Sequence, residues 1–540
     1  MKSKFSIFNK IWIALTVVHF ISVSVYAQNK DALLKEIIQA TALSKSTLVI
    51  GNEEVVSRVE VITFYQGNHY KVAWKKAQNI QSLIRSVQTA YAEGLNPQEY
   101  HLAALERLSL TWKSADEDVA FDILLTDAFL TYAHHLLSGK LDPTIFYGRE
   151  WEADKRSSDL KLLLQDALRE QSIEESLNQL KPAYAGYRNL KRALNFYRTV
   201  EAAGGWMPIP EGKIVKPGDI DDRMPLIRKR LLESLQTPFT IALESVEYDS
   251  MLAIVVKNFQ QQHGIKNDGV IGKSTFKAMN LSVKDYIKAI IINLERYRWM
   301  PQQLGSNYVL INIAGYSLEV WEDDSVVLAM NVIVGRPERR TPTLSSSLKY
   351  LIVNPTWTVP PTILREDVLP AVRKNPEYLK QNNLRLFTRE GVEVEETQVQ
   401  LSKFTERNFP YIIRQDPGDY NSLGLIKFHF PNHHSIFLHD TNHRALFSES
   451  YRARSSGCIR LEKPFALARY VLHDDRLLRK MDAVVNSGKT ETFIIKKPVP
   501  IHIFYFTAFA DRHGRLDLRE DIYKWDEVVW KNLNNYVLGL

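Results

Sequence analysis

Cysteine is almost missing from this chain: 540 residues hold one, Cys458. A single thiol excludes an internal disulfide, so the lone sulfur is either a buried filler or a reactive group. Other absences narrow the field further. No run of ~18 apolar residues occurs beyond residue 27, so nothing downstream reads as a membrane span. No dense Lys/Arg stripe with interleaved aromatics appears, and 69 Lys+Arg against 62 Asp+Glu give a net charge of only +7, which does not indicate nucleic-acid binding. The Gly-Lys-Ser of VIGKST, Val270 to Thr275, lacks the glycine that a phosphate loop needs, because position 267 is Asn267, and an amphipathic helix precedes it where a strand is required. Ser-x-x-Lys occurs at Ser274–Lys277 and Ser158–Lys161 without Ser-Asp-Asn or Lys-Thr-Gly; Lys489-Thr490-Glu491 comes nearest. No His-Glu-x-x-His pair exists. The histidines at 429, 433, 434, 439 and 443 have few acids nearby and no ligand spacing of a common metal site, so no metal is expected.

What is present begins at the N-terminus. Lys2, Lys4 and Lys10 flank IWIALTVVHFISVSVYA, Ile11 to Ala27, with Val25 and Ala27 at the positions a signal peptidase reads. Cleavage after Ala27 is the favoured reading, and an uncleaved anchor is the alternative, since 17 residues approach the length of a span. Cleavage would remove three lysines and no acid, leaving a net charge of +4. An exported chain meets oxidising conditions, where structural cysteines come in pairs, so the single one stands out more.

A chain of this length implies several domains. Residues 28–210 read helical: Ile80, Leu83, Ile84, Val87 and Tyr91 recur at helical spacing before Gly94 and Pro97, and Phe121 to Gly139 is a second apolar helix. GGWMPIPEG, Gly204 to Gly212, breaks the pattern. Residues 215–285 form a compact helical unit in which Leu252, Val255, Val256 and Phe259 share a face and Gly264 caps the helix. From about 300 to 500 the texture is β-rich, interrupted over 361–424 by a charged, more helical, strand-poor interval expected to act as a lid. Residues 501–540 form a C-terminal extension. The expected fold class is multidomain α+β.

The chemistry concentrates around Cys458. Period-two alternation in Ser435–His439 puts Phe437 and His439 on one face, so a histidine ending a strand can serve a thiol 19 residues later. An imidazolium partner stabilises the thiolate, so the thiol pKa is expected to fall below its free value of about 8.5. Gly457 permits a tight turn that leaves backbone N–H groups near the sulfur for an oxyanion. Arg460 can bind a substrate carboxylate through its planar fork. Together these residues indicate cysteine acyl-transfer chemistry.

Two stretches carry a family resemblance. Phe259, Gln260, His263, Gly264, Asp268, Gly269, Ile271, Gly272, Thr275, Met279 and Asn280 match the pattern of a three-helix peptidoglycan-binding module. His439 followed by Ser455-Ser456-Gly457-Cys458-Ile459-Arg460 resembles the motif of L,D-transpeptidases with a YkuD-type catalytic domain, in particular the large, YcbB-like branch of Gram-negative envelopes. Ser456 stands where the general pattern has a second histidine, and the large branch itself carries Ser-Ser-Gly-Cys. INLERYRW (Ile292–Trp299), VGRPERRTP (Val334–Pro342), NPTWTVPPTI (Asn354–Ile363) and GLNPQEY (Gly94–Tyr100) extend the resemblance along the chain.

The resemblance implies a helical scaffold domain, the wall-binding module and a β-rich catalytic domain with a lid. It implies Cys458 as nucleophile, His439 as general acid/base and Gly457 as oxyanion backbone, with Arg460, Ser456 and Trp357 contacting substrate. The implied reaction is cross-linking of peptidoglycan tetrapeptide stems through a cysteinyl thioester with release of D-alanine, without metal or organic cofactor, in the periplasm. Carbapenems are the implied covalent inhibitors. Two alternatives stay open: an L,D-carboxypeptidase or endopeptidase on the same stems, and an inert wall-binding scaffold.

Overall fold

The computed structural model describes residues 30–44, 46–111, 114–235 and 242–535. The expected signal segment, 1–27, lies outside the described residues. Among the described residues no helix is long and apolar enough to cross a membrane.

The N-terminal third is helical, as its periodicity predicts. Its axis is a helix, Ala115–Ser138, opened by a capping box in which Ser114 and Glu117 satisfy each other's backbone amides. Both sides of this helix are covered, so its polar residues are buried and need partners. Asp122 accepts from the Ala73 and Trp74 amides and the Tyr65 hydroxyl, and Asp127 accepts from the Val56 and Ser57 amides and from His101 Nε2. Gly94, in the left-handed region at φ 74°, ends the turn after the Ala77–Gln88 helix, where the sequence pattern stops.

The expected compact unit has its own apolar core of Leu252, Val255, Val256, Phe259, Ile271 and Met279, joined by Ile209, Met224 and Ile227. Its helix, Ser250–Gln262, starts on an Asp249 side chain that accepts the Leu252 amide, and Gly264 follows in the left-handed region at φ 62°. The unit is fastened to the rest of the chain. Arg519 donates to the Gln262 carbonyl at 2.9 Å and Trp206 to the Leu281 carbonyl at 2.8 Å.

A buried helix, Val283–Arg298, links these parts to the sheet domain. Glu295 is fully buried and Arg298 nearly so, and they pair at 2.9 Å. Glu295 also accepts the Leu141 amide and the Trp299 indole N–H. Arg298 reaches the Glu93 carbonyl and the Tyr187 hydroxyl. Arg296 pairs with Asp526 at 2.6 Å and donates to Thr507 at 3.0 Å. One helix therefore binds the N-terminal helices on one side and the C-terminal residues on the other.

The β-rich region is a closed sheet. Eight of its ten strands are β1 (Asn307–Asn312), β2 (Ser317–Glu322), β3 (Ser325–Gly335), β4 (Thr343–Val353), β5 (Ile426–His429), β6 (Leu438–His439), β7 (Ile459–Leu461) and β8 (Glu491–Phe504), while Trp151–Glu152 pairs with β4 and Ala453–Ser455 with β3. Pairing runs β5–β6–β7–β3–β2–β1–β8–β4, and β4 pairs back onto β5, so the eight strands close into a ring. Closure removes the exposed edges, and Val309, Ile311, Leu318, Val332, Leu351, Phe428, Leu438 and Ile503 fill the core.

The 361–424 insertion hangs from the β4–β5 connection. These strands are antiparallel neighbours, with Val353 opposite Ile426. The interval, expected to be strand-poor, also folds three short strands, Arg385–Phe387, Glu393–Val394 and Ile412–Gln415, into a small sheet with Trp357–Thr358. It has a separate core that includes Val368, Leu379, Leu386 and Ile413. The C-terminal extension is part of the main core: a hairpin, Ala508–Ala510 with Leu516–Leu518, and the Trp525–Asn535 helix pack into it.

Removing one member of a buried ion pair leaves the other charge unsolvated. Glu295→Ala is expected to lower stability by about 3–5 kcal/mol, read as a shifted urea midpoint. Asp166→Ala, which breaks the exposed pair with Arg169, should change it by less than about 0.5 kcal/mol.

Candidate active site around Cys458

The ring's register brings His439 and Cys458 together. Strands β6 and β7 are parallel, with Leu438 opposite Ile459 and His439 opposite Arg460. Cys458, one residue before β7, therefore lies beside the Phe437–His439 edge, and the Ile459 amide donates to the Phe437 carbonyl at 3.1 Å. The Phe437 and His439 rings stand 5.6 Å apart, on the common face that alternation predicts. Only Leu438 and His439 of the expected 435–439 strand are paired as strand.

His439 is buried, and its Nδ1–H donates to the Asp440 carbonyl at 2.5 Å. That bond fixes the tautomer with an unprotonated Nε2. Burial, with Arg460 and Lys427 nearby, lowers the imidazole pKa to about 3, so it is neutral. Cys458 is partly exposed at the surface of the turn. Burial of the sulfur pushes its pKa up to about 11, while the Phe437 backbone, Lys427 and Arg460 pull it down. The resting pair is thus a neutral thiol and a neutral imidazole, not the expected imidazolium-stabilised thiolate, because burial disfavours both charged forms.

The turn before Cys458 is held from below. Ser455 Oγ–H donates to the Cys458 carbonyl at 2.5 Å and accepts the Gly457 amide at 3.2 Å. The Gly457 amide, expected to face an oxyanion, is therefore committed inside the turn, and the Cys458 amide has no hydrogen-bond partner among the described residues. Gly457 takes φ 108°, which favours glycine. Its carbonyl accepts Thr341 Oγ1–H at 2.8 Å. Thr341 Oγ1 in turn accepts the Gly335 amide at 2.9 Å, and the Thr341 amide donates to the Tyr523 hydroxyl at 3.0 Å. Tyr523 donates to the Gly335 carbonyl at 2.7 Å. Residues far apart in sequence are tied into one buried frame.

The remaining expected residues are distributed unevenly. Arg460 lies within the cluster, half-buried, with Nε lacking a partner. Ser456 is exposed, and Arg339 Nη1 donates to its hydroxyl at 2.9 Å. The same guanidinium holds Glu366 and Asp367 of the insertion, so it clasps the insertion to the turn. Trp357 sits at the root of the insertion, half-buried against that segment's own core. Of the other histidines, His429 stacks on Tyr350 at 4.6 Å and His434 lies 3.1 Å from Glu152.

Three stretches of the chain match known families. Residues 306–501 match the L,D-transpeptidase catalytic domain model, YkuD. The chain carries a YkuD-type catalytic domain. Residues 59–194 match a scaffold domain and 229–279 a "putative peptidoglycan binding domain". A curated relative from Haemophilus influenzae, described as "putative L,D-transpeptidase", is 33% identical over 270 residues, 49% of this chain and 53% of the relative. The chain thus spans about half the length of that relative. Among solved structures, an L,D-transpeptidase from Xylanimonas cellulosilytica is 14% identical, covering 55% of this chain and 99% of its own, with a TM-score of 0.17. An Ldtfm–avibactam carbamoyl enzyme is 10% identical over 59% of this chain and 99% of its own, with a TM-score of 0.18. Likenesses this slight carry no argument about the site or its chemistry.

Sequence reasoning about the YkuD-type domain missed Thr341, Tyr523, Arg339 and Lys427. Lys427 left a trace: alternation in Ile426–Phe430 places it on the face opposite the buried Ile426, Phe428 and Phe430. The Thr341–Tyr523 frame left none, since its members are 182 residues apart.

Thr341→Val keeps the shape and deletes the hydroxyl, leaving the Gly457 carbonyl and Gly335 amide unpaired. Labelling of Cys458 by a carbapenem, followed by intact mass, is expected to slow about ten- to a hundredfold because the sulfur loses its placement. An unchanged rate would remove the frame from the site's working parts.

Proposed function

We propose that the protein is a peptidoglycan L,D-transpeptidase that cross-links tetrapeptide stems. The observation that carries this reading is the chain's one thiol beside a buried, neutral histidine with a fixed tautomer, within a YkuD-type domain.

In this mechanism the Cys458 sulfur attacks the carbonyl between an L-centre, that of meso-diaminopimelate, and the terminal D-alanine. His439 Nε2 takes the thiol proton as the C–S bond forms. The open Cys458 amide faces the oxyanion. The C–N bond breaks, D-alanine leaves with the proton returned by His439, and a thioester remains. A side-chain amine of a second stem attacks the thioester, its proton passes to His439, and the sulfur departs and is reprotonated. Arg460 holds a substrate carboxylate. The insertion, clasped through Arg339, limits water that would hydrolyse the thioester.

The peptidoglycan-binding module is read as a positioning element. Its Phe259, Gln260 and His263 are engaged internally: His263 stacks on Phe259 and contacts the Tyr286 hydroxyl at 2.7 Å, and Gln260 bonds Val270 and Thr275. Wall contact is therefore assigned to its outer surface. A wall substrate places the protein outside the cytoplasmic membrane, in a Gram-negative periplasm, after cleavage of the segment ending at Ala27.

Purified protein incubated with tetrapeptide stems should release D-alanine and, given an acceptor stem, form a cross-linked dimer by mass; hydrolysis alone would indicate a carboxypeptidase. Cys458→Ala should abolish both products and the carbapenem adduct. His439→Ala should slow acylation about 10²–10⁴-fold.

Because the imidazole becomes charged only near pH 3 and the thiol ionises only near 11, acylation is expected to be level from about pH 5 to 8. An acid limb centred near an ordinary histidine pKa would contradict the neutral pair.

A further inference from the structure

Beside the thiol stand two cations that the neutral pair leaves without an assigned counter-charge. Lys427 lies on β5 directly opposite His439 of β6. Its ammonium rests over the Phe437 ring, 3.8 Å from the centroid. Phe437 thus organises three groups: Lys427 on its face, His439 5.6 Å away, and Cys458 against its backbone. Arg460 approaches from β7. Both cations are half-buried, and among the described residues neither pairs with a carboxylate. Of the acids nearby, Asp440 is turned away, accepting the Leu425 amide and Arg444. On Lys427's own strand the next titratable group is His429, stacked on Tyr350, and His443 lies near Arg460. Strand β4, on the other side of β5, places Ile352 opposite Lys427.

A partly desolvated ammonium without an anion is costly unless an anion forms beside it during function. We propose that Lys427 is the electrostatic partner of the Cys458 sulfur, stabilising its negative charge when the thiol loses its proton and again when the thioester C–S bond breaks and the sulfur leaves with the electron pair. This rests on reading Cys458 as the nucleophile. A distinct role follows for Arg460, whose fork is left to a substrate carboxylate. Burial lowers the Lys427 pKa and proximity of the sulfur raises it again, as expected of facing opposite charges.

The test is alkylation of Cys458 by iodoacetamide, a neutral reagent that reports thiolate without needing any wall substrate. In Lys427→Met the thiol pKa should rise by about one pH unit, cutting the thiolate fraction about tenfold. Because a more basic thiolate is a better nucleophile, the alkylation rate at pH 8 should fall about fourfold. Lys427→Arg should restore the rate to within about twofold of the parent. Thermal melts identify any variant that fails to fold, in which case Lys427→Gln supplies the same comparison. Equal alkylation in the folded Met or Gln variant and the parent overturns the proposal. So does an unchanged alkylation rate with a raised KM for the donor stem and an unaltered kcat, which would make Lys427 a carboxylate binder. If the parent releases no D-alanine while Lys427→Met still slows alkylation, the wall reaction is wrong and the Lys427 assignment stands.

Discussion

Everything in this molecule hangs on a helix that buries its charges. Glu295 and Arg298 are removed from water, a costly placement that holds because they pair with each other and bond partners from elsewhere in the chain. Glu295 takes the Leu141 amide and Trp299, and Arg298 takes Glu93 and Tyr187. Arg296, on the same helix, reaches Asp526 and Thr507. Apolar surfaces would accept many dockings of the N-terminal helices on the sheet domain. Directional bonds to buried charges accept few, so this helix fixes their relative placement.

The closed sheet gives the site the same rigidity at smaller scale. Because β5 pairs with both β4 and β6, the ring holds His439 between Lys427 and Arg460, and the buried imidazole cannot be resolvated without opening that ring. Dryness has opposite consequences for the two groups. It discharges the imidazole and keeps the thiol protonated, so both groups are neutral, with Lys427 and Arg460 as the nearby cations. The insertion reaches this centre through two guanidinium groups: Arg339, shared between Glu366, Asp367 and Ser456, and Arg336, which pairs with Asp367 at 3.3 Å. Contact between cover and reacting turn is thereby electrostatic and reversible, whereas the insertion's own core is apolar.

Much was legible in sequence where the physics is local. Helical spacing in Ile80–Tyr91, the apolar run from Phe121 to Gly139 and the glycine at 264 each concern neighbours within a few turns, and the structure has helices there. Alternation at Phe437 and His439 likewise survives as a shared face. The lone thiol and its histidine were found because composition and a short motif single them out. The insertion was recognised by its length, but its three short strands were not, since two- to four-residue strands pair by tertiary contact and leave no period to read.

By itself, then, the sequence determined the helices, the β-rich region, the compact module and the Cys458–His439 pair, because these follow from periodicity, turn chemistry and residue type over short spans. Tertiary structure alone decided the rest. Which amide faces the sulfur depends on Ser455 already occupying Gly457. Which residues brace the turn depends on Tyr523 folding back onto Gly335 and Thr341. The charge states of histidine and thiol come from burial, a property of the packed whole. That Lys427 stands opposite His439 follows from a strand register set by ring closure, which no local stretch encodes.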